Sequence, residues 1–302
     1  MVNWFLWEEE AFKKARLEKK PIFLFVYFAD CDLCQKMQEE IFEKQEFIEI
    51  LNNNFVSIKV DRDEQADIAN YFKKAYKLLN RKLAKLPLSI FLTHEKKPFF
   101  AGSYIPPSRR DMIIGFDEVC EIISQKYQEN PKELIEQAKL IEKTLKKLEI
   151  NTKAAVIDKV FLKNELEKTE NKNKKKFEPK RKNPLFLEDF AYFADFYLKE
   201  YIKTKEDVFL QKSIELCDKA IEKFYNSGVW FFAHGEFETI VQPYDDEYLS
   251  CLALLLDVLI ILGEIVDKKY LSLAKKTLEY NSLAIMKSPK ECAAIANIAV
   301  RL

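Results

Sequence analysis

Pro21-Ile22-Phe23-Leu24-Phe25-Val26-Tyr27-Phe28, followed by Ala29-Asp30 and then Cys31-Asp32-Leu33-Cys34, is the stretch that decides how the first half of the chain folds. An unbroken apolar run of this kind is what a central strand, buried on both faces, requires. Beyond Cys34 apolar residues recur at helical spacing, with Met37, Ile41, Ile48 and Leu51 on one side, so a helix is expected from Asp32 to about Leu51. A strand that feeds a two-cysteine turn at a helix N-terminus holds one sulfur over unpaired backbone N–H groups. The helix dipole there favours the thiolate, the nucleophilic form of cysteine. The second sulfur, three residues on, is within reach to close a disulfide. Asp30 and Asp32 flank Cys31, and nearby carboxylates oppose thiolate formation. The turn is a candidate thiol–disulfide site, with Cys31 expected to be the more accessible thiol and Cys34 to lie one turn into the helix.

Composition narrows the alternatives. With 302 residues, 48% of them hydrophobic, the chain is long enough for two domains with separate cores. Lys+Arg and Asp+Glu both number 49, so the formal net charge is zero, which argues against a nucleic-acid partner held by bulk charge. Only 5 Gly are present and neither GxGxxG nor GxxxxGK[ST] occurs, so no nucleotide cofactor is expected. Zinc is not expected either, because there is no second CxxC and only His94 and His234 could complete a ligand set. The N-terminus has no basic n-region and turns acidic at Glu8-Glu9-Glu10, unlike a signal peptide. The longest apolar stretch, Leu252–Val266, is short for a span and carries Asp257 and Glu264. These features lead to the expectation of a soluble cytoplasmic protein without a membrane partner. In that compartment a lone CxxC reads as redox chemistry and not as a structural staple.

Along the chain, residues 7–19 carry a helical pattern, Phe55–Val60 reads as a second strand and Glu64–Leu79 as a helix. Leu88–Leu92 and Pro98–Tyr104 read as two strands and Phe116–Tyr127 as a closing helix, with Pro87 just ahead of the third strand. The order β-α-β-α-β-β-α after a leading helix is the thioredoxin layout. Past Asn130-Pro131 strand signals nearly vanish. Pro131–Leu148 reads as a charged helix, and Asn171–Pro184 as a basic linker or long loop. From Leu187 helices come in pairs, Leu187–Ile202 with Val208–Tyr225 and Tyr248–Leu262 with Leu271–Tyr280, before a last helix over Cys292–Leu302. An aromatic loop or short hairpin over Gly228–Gly235 separates the pairs. The expected division is an α/β thioredoxin-like domain over 1–130, a connecting helix and basic linker over 131–184, and an all-α helical-hairpin domain over 185–302.

Several ordered segments together resemble one family. They are Val2-Asn3-Trp4 with Trp7 and Glu10-Ala11-Phe12, Lys20-Pro21-Ile22-Phe23-Leu24, Cys31-x-x-Cys34 with Met37, Phe55–Arg62, Leu86-Pro87-Leu88-Ser89-Ile90-Phe91-Leu92-Thr93, and Lys97–Pro107. Over roughly residues 2–127 the chain is similar to the thioredoxin domain of the spermatogenesis-associated protein 20-like family. The resemblance implies a cis proline at Pro87, set beside Cys31 and Cys34. The family appends a six-hairpin α/α toroid related to N-acylglucosamine 2-epimerases. Phe186–Ala191, Phe224-Tyr225 with Phe231-Phe232, and Val241–Asp245 look like the last third of that toroid. About five helices cannot close such a ring, so a shortened, partial toroid is expected, its open ends covered by the first domain, by 131–170, or by a second copy in a homo-oligomer. Relatives commonly carry His after each cysteine of the pair, where this chain has Asp32 and Gln35.

Three functions compete at this stage. The first is a thiol–disulfide oxidoreductase acting on a disulfide-containing or thiol client, with Cys31, Cys34 and Pro87 as its catalytic set. The second is a carbohydrate-active enzyme using Glu188, Asp189, Asp245 or Asp246 as acid/base groups. The third is a non-catalytic interaction protein on the same scaffold. Bland roles stand beside these. Asp245-Asp246-Glu247 and Glu188-Asp189 sit where helix-capping acids sit, and Cys120, Cys217, Cys251 and Cys292 fall in helical stretches as small packed hydrophobes. Asp61-Arg62-Asp63-Glu64 either orders the cysteine loop through an Arg62 ion pair or caps the following helix.

Overall fold

A computed structural model describes residues 1–148, 154–168, 178–179, 183–234 and 236–302. The chain divides into two compact units, Met1–Ile150 and Asn151–Leu302.

In the first unit, strands β1 (Trp4–Phe5), β2 (Ile22–Tyr27), β3 (Val56–Asp61), β4 (Leu88–Leu92) and β5 (Pro98–Gly102) form one sheet in the order β1-β3-β2-β4-β5. β2 lies parallel to β3 and antiparallel to β4, and Ile22 through Val26 are buried, as the continuous apolar run requires of a centre strand. β1 pairs in parallel with β3 through only Trp4↔Ser57 and Phe5↔Ile58, too short to leave a periodic signal in the sequence. Helices α1 (Glu9–Glu18), α2 (Asp32–Met37), α3 (Gln45–Asn54), α4 (Ala66–Asn80) and α5 (Phe116–Glu129) complete the thioredoxin-like arrangement.

The single helix expected from Asp32 to Leu51 is broken into three pieces. After α2 the chain widens into a π-helical turn over Gln38–Phe42, leaves helical geometry at Lys44, and restarts as α3. Packing explains the break. Phe42 is buried between Trp4, Phe25 and Phe116, with ring centroids 5.1, 4.8 and 6.3 Å away. The reset turns α3 so that Phe47 joins Leu51 in the core and Ile48 is left half-buried.

Helix α6 (Pro131–Leu148) packs on β5, α5 and α4, burying Leu134, Ala138, Ile141 and Leu145. Its i, i+4, i+7, i+11 stripe is a core-facing stripe. The segment 131–184, expected as a connecting helix and basic linker, is therefore shared between the units. α6 packs in the first, and α7 (Lys159–Glu167) packs on the last helix of the second. Most of the basic stretch Asn171–Pro184 lies outside the described residues.

The second unit is built of helices. α8 (Leu187–Thr204) pairs with α9 (Asp207–Phe224), α10 (Cys251–Ile265) pairs with α11 (Lys268–Lys287), and α12 (Ala293–Arg301) closes the chain. α10, the most apolar, touches α8, α11 and α12 and buries Leu252 through Leu256, Val258, Leu259 and Leu262. Between the pairs a two-residue hairpin joins β6 (Tyr225–Asn226) to β7 (Val229–Trp230) through Ser227 and Gly228, both at positive φ. Gly235, at the end of the expected aromatic loop, lies outside the described residues. Among the described residues no helix is long and apolar enough to cross a membrane.

Candidate functional site

The cysteine turn is built by local rules. β2 ends at Tyr27, and Cys31 takes the extended N-cap conformation (φ −110°, ψ 99°) that opens α2. Its Sγ accepts a hydrogen bond from the Cys34 N–H at 3.1 Å, and its carbonyl accepts from the Cys34 and Gln35 N–H groups, each at 3.0 Å. Cys31 and Cys34 form a disulfide, with Cα atoms 5.1 Å apart. Each cysteine is 5% exposed, so in the disulfide form the difference in access expected between them is absent. The crown of the turn is exposed at Asp32 and Leu33.

β4 positions Pro87. Leu88 pairs with Val26, so Pro87 enters the sheet at the end from which the chain leaves for Cys31. Pro87 is buried and the Leu86–Pro87 peptide bond is cis. Two residues later, Ser89 Oγ lies 3.8 Å from Sδ of Met37, the last residue of α2, which ties β4 to the cysteine helix.

Sequence reasoning missed three residues in this half of the chain, two of them in one loop. The loop after β5 carries Ser103, whose hydroxyl donates to the Lys85 carbonyl at 2.7 Å, and Tyr104, whose hydroxyl donates to Glu40 at 2.5 Å. Lys36 of α2 lies over the Tyr104 ring, 5.2 Å from its centroid. Burial and Glu40 push the Tyr104 phenol up to about 12. One loop thus clasps both the segment leading into Pro87 and the turn after α2, through residues 18 and 64 positions apart in sequence. The other missed residue is Lys59, whose amine sits over the rings of Tyr27, Trp4 and Phe25 at 4.6, 5.8 and 6.0 Å. Sheet alternation alone would have set Lys59 and Phe25 on one face, but only with the β2–β3 register known.

Arg62 and Asp63 are both buried and their side chains stand 3.4 Å apart. The Arg62 N–H donates to the Tyr27 carbonyl at 2.8 Å, which fixes the end of β3 to the end of β2 just before the cysteine turn. Asp61 accepts from the Asp63 N–H at 2.8 Å and so shapes the turn between β3 and α4.

Of the remaining cysteines three are packed and Cys251 is half-buried. Cys120, Cys217 and Cys292 are buried; burial pushes the Cys217 thiol up to about 12 and the Cys120 thiol further in the same direction. Three of the four acids weighed for sugar chemistry, Asp189, Asp245 and Asp246, accept from backbone N–H groups. Asp189 Oδ2 accepts from the Leu185 and Phe186 N–H groups at 2.8 and 2.9 Å, at the start of α8. Asp245 accepts from Ser250 N–H, at the start of α10, and from Ala294 N–H, at the start of α12, each at 2.9 Å. Asp246 accepts from the Tyr248 N–H at 3.3 Å, and Glu188 is buried. His234 stacks on Phe224 with centroids 5.4 Å apart; its bond to the Lys223 carbonyl, then Glu238, raises its pKa. Among the described residues no three His, Cys, Asp or Glu side chains stand together as a metal site.

Comparison with known proteins singles out the same half of the chain. Residues 1–146 match the family model described as "Thioredox_DsbH: Protein of unknown function, DUF255". Spermatogenesis-associated protein 20 of Homo sapiens is 35% identical over 140 residues, which is 46% of this chain and 18% of that protein. Uncharacterized protein B0495.5 of Caenorhabditis elegans is 35% identical over 144 residues, 48% of this chain and 20% of that one. The chain thus spans about a fifth of the length of these relatives. Among solved structures, a DsbH oxidoreductase aligns at 23% identity and a TM-score of 0.30, covering 40% of this chain and 81% of that one. A thioredoxin from Thermus thermophilus aligns at 16% identity and a TM-score of 0.33, covering 42% and 89%. Over residues 1–146, which hold the strand, the Cys31-x-x-Cys34 turn and Pro87 in order, the chain is similar to the thioredoxin-domain proteins of the spermatogenesis-associated protein 20 kind.

Proposed function

We propose that this protein is a thiol–disulfide oxidoreductase in which Cys31 is the attacking thiol, Cys34 the resolving thiol and Pro87 the residue that lines the client beside them. In the reducing direction the Cys31 thiolate attacks one sulfur of a client disulfide. A Cys31–client S–S bond forms, the client S–S bond breaks, and the released client thiolate takes a proton. The Cys34 thiolate then attacks Cys31 Sγ, closes the intramolecular disulfide and releases the second client thiol. The client gains two electrons and the pair loses two, so an external thiol must restore the dithiol for a further turn. The observation that carries this reading is the bonded Cys31–Cys34 pair at the β2–α2 junction, with Pro87 entering the sheet at the same end. Cys120 and Cys217 are buried thiols outside any disulfide, which suits a reducing, cytoplasmic setting. The helical unit is read as a shortened α/α array.

Insulin disulfide reduction by the full chain with dithiothreitol tests the activity, and the Cys34→Ser variant tests the order of attack. The variant should accumulate a mixed disulfide at Cys31 with a peptide disulfide substrate, while Cys31→Ser should not. No turnover by the wild type together with no trapped adduct on Cys34→Ser would leave a scaffold that binds without catalysis.

A further inference from the structure

His234 folds the chain that leaves β7 back onto the end of α9. Phe231 N–H donates to the Phe224 carbonyl, Phe232 N–H to the Thr239 carbonyl and Val241 N–H to the Trp230 carbonyl, each at 2.8 Å, and Phe231 bridges to Ile240. Within that pairing the His234 ring meets two acceptors. Nε2 faces the Lys223 carbonyl, and Nδ1 faces the Glu238 carboxylate at 3.2 Å. Lys223 lies in the last turn of α9, where helix carbonyls lack an intrahelical partner. A neutral imidazole carries one N–H and can donate to only one of the two acceptors, whereas the imidazolium donates to both. The ring also lies flat on Phe224, with centroids 5.4 Å and planes 10° apart. The negative end of a helix dipole and an aromatic ring face both favour a cation here.

We propose that His234 is a pH-dependent latch, which as the imidazolium caps α9, bonds Glu238 and holds the Phe231–Ile240 pairing against the helix end, and which gives up one of its two bonds on losing its proton. The inference lies outside the redox reading above, since no cysteine takes part. The bond to the Lys223 carbonyl, then Glu238, raises the His234 pKa; partial burial and the Lys223 amine, 5.4 Å from the Phe190 ring centroid, oppose them. α8 reaches the same strand through Leu187 N–H on the Phe232 carbonyl at 3.0 Å. Of the acids in its first turn, Asp189 turns to the Leu185 and Phe186 N–H groups and Glu188 is buried. α11 meets β7 through Trp230 Nε1 on the Thr277 hydroxyl at 2.9 Å, an uncharged contact, and Glu236 is the other acid between His234 and Ile240. The native pKa lies above the ordinary 6.5, so the latch is whole below that pH and is lost as the pH rises through the native midpoint.

The test is an NMR titration of the two histidines in the full chain, with His94→Gln assigning the signals. It is run beside amide exchange at Phe231, Phe232 and Val241, corrected for the intrinsic pH dependence. His234 should titrate above 6.5, and Glu238→Gln should lower its midpoint. Corrected exchange should rise about twofold to fivefold as the pH passes the wild-type midpoint, the size expected of a cation at a helix C-terminus. His234→Gln should show the faster exchange at every pH. Should that variant not fold, Glu238→Gln carries the reading, with its rise in exchange moved to lower pH. A wild-type midpoint at or below 6.5, or corrected exchange that stays flat across the midpoint, overturns the latch. A folded Glu238→Gln variant that keeps the wild-type midpoint overturns it too, because the second nitrogen then has no acceptor to lose.

Discussion

Replacing Phe42 by Ala should cost the first unit about 4 kcal/mol. The side chain is 3% exposed and meets four rings, Trp4, Phe23, Phe25 and Phe116, at centroid distances of 5.1, 6.0, 4.8 and 6.3 Å. Truncating a buried Phe in a rigid surround costs about 3–5 kcal/mol. The two closest contacts are T-shaped, the geometry that adds about 0.5–1.5 kcal/mol per aromatic pair beyond area. The surround here is β1, the sheet-centre strand β2 and the start of α5, packed elements that cannot collapse far into the gap. With a urea slope of about 2 kcal/mol per M, the midpoint of the first unit should fall by about 2 M. The assay is hydrogen exchange with peptide-resolved mass spectrometry across a urea series on the full chain. Peptides from β2, β3 and α5 should lose protection together while peptides from α10 and α11 keep theirs. Because Phe42 follows α2 directly, the reduced Cys31 and Cys34 should also alkylate faster in the variant. A midpoint shift below about 0.5 M would refute the claim that the broken helix exists to seat this ring.

Other outcomes follow from single features. Asp245→Ala removes the acceptor for two helix starts at once and should cost the second unit about 1–3 kcal/mol, measurable as a fall in melting temperature; Asp245→Asn, which keeps an acceptor oxygen, should lose less. The Tyr104 phenol is raised from 10 to about 12, so the stability it contributes is whole below pH 10 and is lost as the pH rises from there toward 12. Tyr104→Phe should therefore flatten the alkaline limb of the stability profile, and an unchanged limb would mean the clasp to Glu40 does not hold in solution. Leu134→Asp, on the buried face of α6, should destabilise the first unit and spare α8 to α11 in exchange experiments. With iodoacetamide at pH 8, Cys120 and Cys217 should stay unlabelled until the protein unfolds, since burial raises both thiols.

Most of the first unit was legible because its signals are local. A buried centre strand announces itself by continuous apolar residues, and a cysteine at a helix start by its place after the strand. β1, the break at Lys44 and the split of 131–184 were not legible, because each depends on what lies across the core. Two residues of edge strand carry no period. The helical pattern of Met37, Ile41, Ile48 and Leu51 looks continuous until Phe42 is seen to need a place among Trp4, Phe25 and Phe116. α6 reads as a charged helix until its narrow apolar stripe meets β5.

What the sequence determined by itself is the order of elements, the identity of the cysteine pair and the helical character of the second half. Those follow from periodicity and from the residue types that turns and helix starts demand, and they need no knowledge of distant neighbours. Tertiary structure alone decided which residues meet around the cysteine helix and on the sheet face it covers. Tyr104 is 64 positions from the glutamate it clasps, Ser89 is 52 from Met37, and Lys59 reaches its rings only through the register of β1, β3 and β2. It also set the buried acids Asp189 and Asp245 against backbone N–H groups at helix starts. Contacts across a sheet face are set by register and by how a helix is laid over it. A one-residue slip in either would exchange every neighbour while leaving the sequence pattern unchanged.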